Sequence, residues 1–72
     1  MSLILYNILN LKFHQGIVGA HVSIFNVLGE EKYNDFVEKE KASLDISSWA
    51  PGVYILQVNA GEKRRQYKFV KR

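Results

Sequence analysis

His14 and His21 are the residues of this chain whose type and spacing come closest to a reactive or metal-binding pair. They lie seven residues apart, on either side of a glycine-containing loop, so their imidazole rings could meet across it. A catalytic zinc ion needs three protein ligands and a structural one needs four. The nearest carboxylates, Glu30 and Glu31, follow a long apolar segment and cannot be counted as further ligands. We therefore interpret both histidines as ordinary loop residues and predict no metal and no cofactor.

Three serines near Asp45 are the other candidates for chemistry: Ser43, Ser47 and Ser48. A serine nucleophile needs an adjacent base and usually a strained turn, and no histidine or G-x-S-x-G pattern accompanies these serines. Such hydroxyls more commonly hydrogen-bond the backbone of turns. The glycines fit no phosphate-binding spacing, and the absence of cysteine removes thiol chemistry and disulfides. The sequence predicts that the protein is not an enzyme.

Composition indicates one small folded domain spanning residues 1–72. Of the 72 residues, 47% are apolar, 24% are charged and one is proline, which is typical of a chain with a packed core. A chain this short buries only about 60% of its unfolded surface, so its stability should be modest.

The net charge of +3 is unevenly distributed, because six of the ten basic residues occupy the last ten positions. Together with Tyr67 and Phe69 they could contact single-stranded nucleic acid through phosphates and stacked bases. In a strand, however, both aromatic residues share one face, opposite Gln66 and Lys68, and that face suits a core. Basic residues along an edge strand also hinder aggregation. We therefore predict no nucleic-acid partner.

The first nine residues are apolar but match no targeting segment. They lack a basic leader and a small-residue cleavage site, and Asn7 and Asn10 interrupt them well short of the ~20 residues that a membrane helix requires. We predict neither a signal peptide nor a membrane span here. Residues 1–7 are interpreted as either an artificial leader or a truncated first strand.

Alternation of apolar and polar residues predicts strands in the first half of the chain. Leu9, Leu11 and Phe13 give a first strand with one apolar face. The nearly continuous apolar run Val22–Leu28 predicts a central strand covered on both sides, and Gly29 then supplies a turn. Residues 32–37 are predicted to be its partner strand. A helix over residues 30–41 is the alternative, although its apolar stripe would be narrow.

The second half is predicted to hold three more strands. A short strand at residues 44–46 leads to a type II turn at Ala50–Val53, with Pro51 and Gly52 in its two central positions. Trp49, just before the turn, could contact a partner or carbohydrate, but we expect it to pack beneath the corner. A strand from Tyr54 then leads through a hairpin at residues 60–63 to a last strand, which we expect to point Tyr67 and Phe69 inward. The predicted fold is all-β: a small immunoglobulin-like antiparallel sandwich of six to seven strands.

Two segments give this chain a family resemblance. V-S-I-F-N-V-L-G at residues 22–29 is similar to a V-x-I-Y-D-x-x-G pattern, and L-D-I-S-S-W-A-P-G-V-Y at residues 44–54 is similar to I-D-L-S-x-L-P-x-G-V-Y. These patterns, followed by a last hairpin and a basic tail, characterise the C-terminal sorting domains of the type IX secretion system of Bacteroidetes. The resemblance covers about residues 8 to 72. The family's N-terminal Pro-Asn-Pro motif is absent, since Tyr6-Asn7-Ile8 stands near its place.

The resemblance implies a non-catalytic export signal at the end of a larger secreted protein. Its expected partners are the type IX translocon and a sortase-like surface protease, and its expected location is outside the cell, reached through the periplasm and outer membrane. The fold is expected to be shaped by Gly29, Asp45, Pro51, Gly52 and Tyr54. The signal itself is expected on the terminal strand, as a free basic chain end formed by Lys68, Phe69, Val70, Lys71 and Arg72. Deleting these five residues should abolish export even where the remaining domain still folds.

Two further interpretations remain open. The chain could instead be a passive β-sandwich module for adhesion or for contact with carbohydrate or protein, because fold alone does not determine function. An incomplete first strand would also leave a sheet edge exposed, through which two copies could pair as a homodimer.

Overall fold

The structure is a computed structural model that describes residues 3–12, 19–38 and 41–72. All regular secondary structure in these ranges is β-strand, which confirms the predicted all-β class. Residues 32–37, for which a helix was the alternative, lie in a strand. Seven strands follow one another along the chain: β1 (Leu3–Leu5), β2 (Ile8–Lys12), β3 (Ala20–Asn26), β4 (Glu31–Val37), β5 (Lys41–Asp45), β6 (Gly52–Ala60) and β7 (Lys63–Lys71).

The strands form two sheets. The larger has five strands in the order β1-β7-β6-β3-β4, and the smaller pairs β2 with β5. All pairs are antiparallel except β1 with β7, which run parallel, so the predicted antiparallel arrangement holds for every other pair. The parallel pair places β1 beside the C-terminal strand, and β1 lies in the segment that was interpreted as either an artificial leader or a truncated first strand.

Side-chain alternation directs one face of each sheet into a shared core. Val22, Ile24, Tyr54 and Leu56 contribute from the middle of the large sheet, and Leu9 contributes from β2. Each of these side chains is at most 5% exposed. Burying a large apolar side chain contributes about 1.5–3 kcal/mol, so this cluster is the main source of stability. The arrangement is that of a small two-sheet sandwich.

The opposite face of the large sheet is covered less than predicted for β3. His21 is exposed and Phe25 is half-buried, whereas Ser23 between them is only 8% exposed. Gln66 and Lys68 share this outer face and are exposed. The prediction of a central strand buried on both sides is therefore wrong for much of β3.

The hairpin joining β6 to β7 matches its prediction. Ala60 pairs with Lys63, leaving Gly61 and Glu62 as a two-residue loop. Gly61 has a φ of +63° and no other residue in the loop has a positive φ, which corresponds to a type II′ turn. This turn matches the twist of the two nine-residue strands that it connects.

Candidate functional site

The corner that follows β5 is a turn held by Asp45. Asp45 Oδ1 accepts a hydrogen bond from the backbone N–H of Ser47 at 2.9 Å. The N–H of Trp49 donates to the carbonyl of Ile46 at 3.0 Å, and the N–H of Ile46 donates to the carbonyl of Asn7 at 2.8 Å. The hydrogen bonds from the Ser47 side chain and backbone lower the pKa of Asp45 below its ordinary value of 3.8. Asp45 thus stabilises this turn most strongly when it is ionised.

The predicted type II turn at Ala50–Val53 is wrong. The hydrogen-bonded turn spans Ile46 to Trp49, four residues earlier. Gly52 has a φ of +152°, far from the value of about +80° in a type II turn, and it already pairs with Lys71 as the first residue of β6. The Ala50 carbonyl, which would close the predicted turn, instead accepts a hydrogen bond from the Tyr54 hydroxyl at 2.5 Å. The Tyr54 hydroxyl on β6 therefore donates to the carbonyl that a type II turn would have paired with the Val53 N–H.

Three aromatic rings connect this corner to the last strand. The ring of Tyr54 lies 5.2 Å from that of Trp49 and 5.4 Å from that of Phe69, measured between centroids. Trp49 is half-buried against the core, in agreement with the expected packing beneath the corner. Stacked and tilted aromatic pairs contribute about 0.5–1.5 kcal/mol beyond burial of their area. Tyr54 therefore fixes the corner and β7 relative to each other.

The five residues predicted to form a free basic chain end do not form one. Phe69 is only 2% exposed and is part of the core, while Val70 is half-buried. Lys71 is 6% exposed, and its ammonium donates to the carbonyl of Arg72 at 3.0 Å. Arg72 is exposed, but its N–H donates to the carbonyl of Leu5 at 2.8 Å. Of the five, Lys68 and Arg72 alone have exposed side chains.

The cause is that β7 has a neighbour on each side near its end. It pairs with β6 along its whole length, and residues 69–71 also pair with β1. The backbone of these residues is therefore engaged on both edges and is not open to a further strand. Lys71, which pairs with a residue of each neighbouring strand, is buried while its ammonium keeps a hydrogen bond to the Arg72 carbonyl. Deleting residues 68–72 would remove Phe69 from the core and the strand pairs of residues 69–71, so we expect this truncation to destabilise the domain.

The first part of β7 is different. We call residues Lys63–Lys68 the basic edge. They pair with β6 on one side, and in the described part of the chain no strand pairs with their other side. All six side chains are exposed, and four of them are cationic: Lys63, Arg64, Arg65 and Lys68. The free segment was predicted at the chain end, residues 68–72. In the described structure, the segment with an unpaired backbone edge precedes that end.

The turn between β3 and β4 is rigid and displays apolar side chains. Asn26 Oδ1 accepts hydrogen bonds from the N–H groups of Leu28 at 3.0 Å and Glu30 at 2.9 Å. Gly29 has a φ of +83°, as a tight turn at this position requires, and its N–H donates to the Asn26 carbonyl at 3.0 Å. Val27 is 71% exposed and Leu28 is 81% exposed. Sequence reasoning assigned both to a buried strand. The Asn-x-x-Gly spacing was the available signal that they lie in a turn.

The residues considered for catalysis or metal binding are engaged elsewhere. His21 on β3 hydrogen-bonds through Nε2 to the Asn34 side chain, whereas His14 lies outside the described residues, as does Phe13. Ser43 donates to Asn10 Oδ1 at 2.9 Å. Within residues 3–12, 19–38 and 41–72, no three His, Asp or Glu side chains come together as a metal site. The same ranges contain no helix with the length and hydropathy needed to cross a bilayer.

Comparison with known proteins gives one match. A family model described as the secretion system C-terminal sorting domain matches residues 5–72, nearly the whole chain. The match begins within β1, slightly before the limit of about residue 8 inferred from the sequence. No curated protein and no solved structure shows significant similarity to the chain.

Proposed function

The chain belongs to the family of C-terminal sorting domains that serve type IX secretion, and from this premise we propose that it directs a larger cargo protein across the outer membrane to the cell surface. The family match over residues 5–72 is the observation that carries the proposal. The domain would act by being recognised, with the cargo supplying any activity. The proposed partners are the type IX translocon and a sortase-like surface protease, which would remove the domain after passage.

The geometry favours recognition of a folded domain over recognition of an extended tail. The C-terminal strand contributes Phe69 to the core and is held by β6 and β1. Pulling this strand free would expose that core side chain, at a cost of several kcal/mol. A receptor that binds the exposed surface of the intact sandwich avoids this cost. The residues expected to shape the fold, including Gly29, Asp45 and Tyr54, would then affect export indirectly, by maintaining that surface.

The proposal is tested by attaching residues 1–72 to the C-terminus of a fluorescent reporter that is delivered to the periplasm of a Bacteroidetes host. All 72 residues are required because β1 pairs with β7. The reporter should appear at the cell surface or in the medium, and disabling the type IX system should return it to the periplasm. The matched control is the same fusion with Phe69→Ala, which removes a core side chain and should fail to export.

Placement separates the proposal from the passive-module alternative. The same 72 residues are inserted between two halves of a reporter, so that neither end of the domain is the end of the chain. A sorting domain should lose export in that position, whereas a module for adhesion or carbohydrate contact should keep any ligand binding it has. Reporter retained in the periplasm of the intact host, in the C-terminal fusion, would overturn the proposed function.

A further inference from the structure

The basic edge, Lys63–Lys68, combines concentrated positive charge with a strand backbone that has no partner on one side in the described part of the chain. An edge strand presents a row of N–H and C=O groups that can pair with another extended chain. Among residues 3–12, 19–38 and 41–72, β1 covers this row of β7 at residues 69–71 and no strand covers it at residues 63–68. Six residues are sufficient for a strand of ordinary length. The described part of the large sheet therefore has a docking position beside β7.

The charges of this edge are not neutralised by their cross-strand neighbours. The four cations of β7 pair with uncharged residues of β6: Ala60, Asn59, Val58 and Ile55. Arg64 donates through Nε to the amide oxygen of Asn59 at 3.0 Å, not to a carboxylate. Positive charge held next to a free backbone edge favours a negatively charged segment as its partner.

We propose that the basic edge is the docking site for an extended acidic segment of a partner protein, which adds as a strand beside β7. Backbone hydrogen bonds would supply register, and carboxylates on the added strand would meet the four cations. The inference rests on the proposed function, because the partner is taken to be a component of the export machinery. It identifies the surface through which the folded domain is recognised.

The four cations lie on two faces of the sheet, and this distribution favours an added acidic strand over a nucleic acid as the ligand. Lys63 and Arg65 point to the inner face of the sheet, and Arg64 and Lys68 point to the outer face, because successive side chains alternate. A nucleic acid lying on either face would reach half of this charge. An added strand lies in the plane of the sheet and its own side chains alternate, so it meets the cations of both faces. Tyr67, the one aromatic side chain of the edge, points to the inner face only.

The test uses the 72-residue chain and a synthetic probe. The probe is an eight-residue capped peptide of alternating Glu and Thr, and its control has the same number of Glu residues with Pro in place of Thr, which prevents strand pairing. The first peptide should bind, as measured by fluorescence anisotropy, and the proline peptide should bind at least about tenfold more weakly. Binding should also slow hydrogen exchange of the backbone amides of residues 63–68.

Charge reversal provides the matched variants. Arg64→Glu with Arg65→Glu should weaken peptide binding at least about tenfold, since it places like charges opposite each other. The control, Lys32→Glu with Lys41→Glu, makes the same change in net charge at exposed positions of β4 and β5 and should leave binding unchanged. All four side chains are exposed, so the variants should keep the circular dichroism spectrum and Trp49 fluorescence of the parent.

Each outcome has one meaning. Equal binding of the proline peptide, or tighter binding of a single-stranded oligonucleotide, would overturn the inference in favour of simple charge attraction. Concentration-dependent self-association that the Arg64 and Arg65 reversal abolishes would assign the edge to a second copy and also overturn it. Normal export of this reversal variant would overturn the inference and leave the proposed function intact. Failure of the parent fusion to export would overturn the proposed function, whatever the peptide binds.

Discussion

Replacement of Phe69 by alanine should destabilise the domain far more than replacement of Tyr67, although the two residues are neighbours on the same face of β7. Phe69 is 2% exposed and stacks on Tyr54, whereas Tyr67 is 54% exposed. Truncating a buried phenylalanine costs about 3–5 kcal/mol. At Tyr67 less than half of the side chain is removed from water, so the expected loss is ~1–2 kcal/mol.

These losses are large relative to the stability of such a chain. Native domains are stable by about 0.05–0.15 kcal/mol per residue, which gives roughly 4–11 kcal/mol for 72 residues. The Phe69→Ala variant would therefore lose about a quarter or more of its free energy of unfolding. If it shows no folded baseline, Phe69→Leu keeps most of the apolar volume and should cost less than about 1.5 kcal/mol.

Urea denaturation followed by fluorescence measures these differences, because Trp49 is the single tryptophan and lies next to the ring of Tyr54. Linear extrapolation gives the free energy of unfolding for each variant. Equal losses for Phe69→Ala and Tyr67→Ala would refute the placement of Phe69 in the core. They would also restore the possibility that the terminal strand is a detachable tail.

Two further changes probe the corner. Tyr54→Phe removes the hydrogen bond to the Ala50 carbonyl but keeps the stacked ring, so unfolding free energy should fall by about 1 kcal/mol in the same urea assay; an unchanged value would mean that the hydroxyl does not hold the corner. The lowered pKa of Asp45 means that its ionised form stabilises the fold fully above pH 3.8, and that this contribution is lost as pH falls below 3.8 through the folded-state pKa. The urea midpoint of Asp45→Asn should therefore change less between pH 2 and pH 5 than that of the parent. Identical dependence of the two midpoints on pH would contradict this account.

Much of the strand pattern was predictable because alternation is a local property of the sequence. The strand at residues 32–37, the strand from Tyr54 and the hairpin at residues 60–63 follow from period-two patterning and a Gly-containing two-residue loop. The all-β class and the family resemblance were likewise available from local motifs, and both are confirmed. These features need no knowledge of which strands become neighbours.

The features that were wrong depend on contacts between distant residues. The turn at Ala50–Val53 failed because the Tyr54 hydroxyl takes the carbonyl that its closure requires. The prediction of a free chain end was wrong because β1, more than sixty residues earlier, pairs with residues 69–71. A three-residue strand carries too little alternation to be recognised. Val27 and Leu28 were placed in a strand because apolar character outweighed the turn signal of Asn26 and Gly29.

Sequence reasoning assigned recognition to the end of β7, whereas our proposal assigns it to the segment just before that end. The concentration of cations near the C-terminus was visible in the composition, whereas their availability depends on sheet order. Residues 69–71 lie between two strands, and Lys63–Lys68 have one strand beside them in the described structure. The roles in recognition assigned from sequence to residues 68–72 remain predictions; of these residues, Lys68 and Arg72 have exposed side chains.

The measurement that tests the central claim most directly is the exported fraction of the reporter fused to residues 1–72, compared between an intact Bacteroidetes host and one whose type IX system is disabled. A sorting domain predicts reporter outside the intact cells and inside the disabled ones. Equal fractions in the two hosts would contradict the assignment of this chain as an export signal.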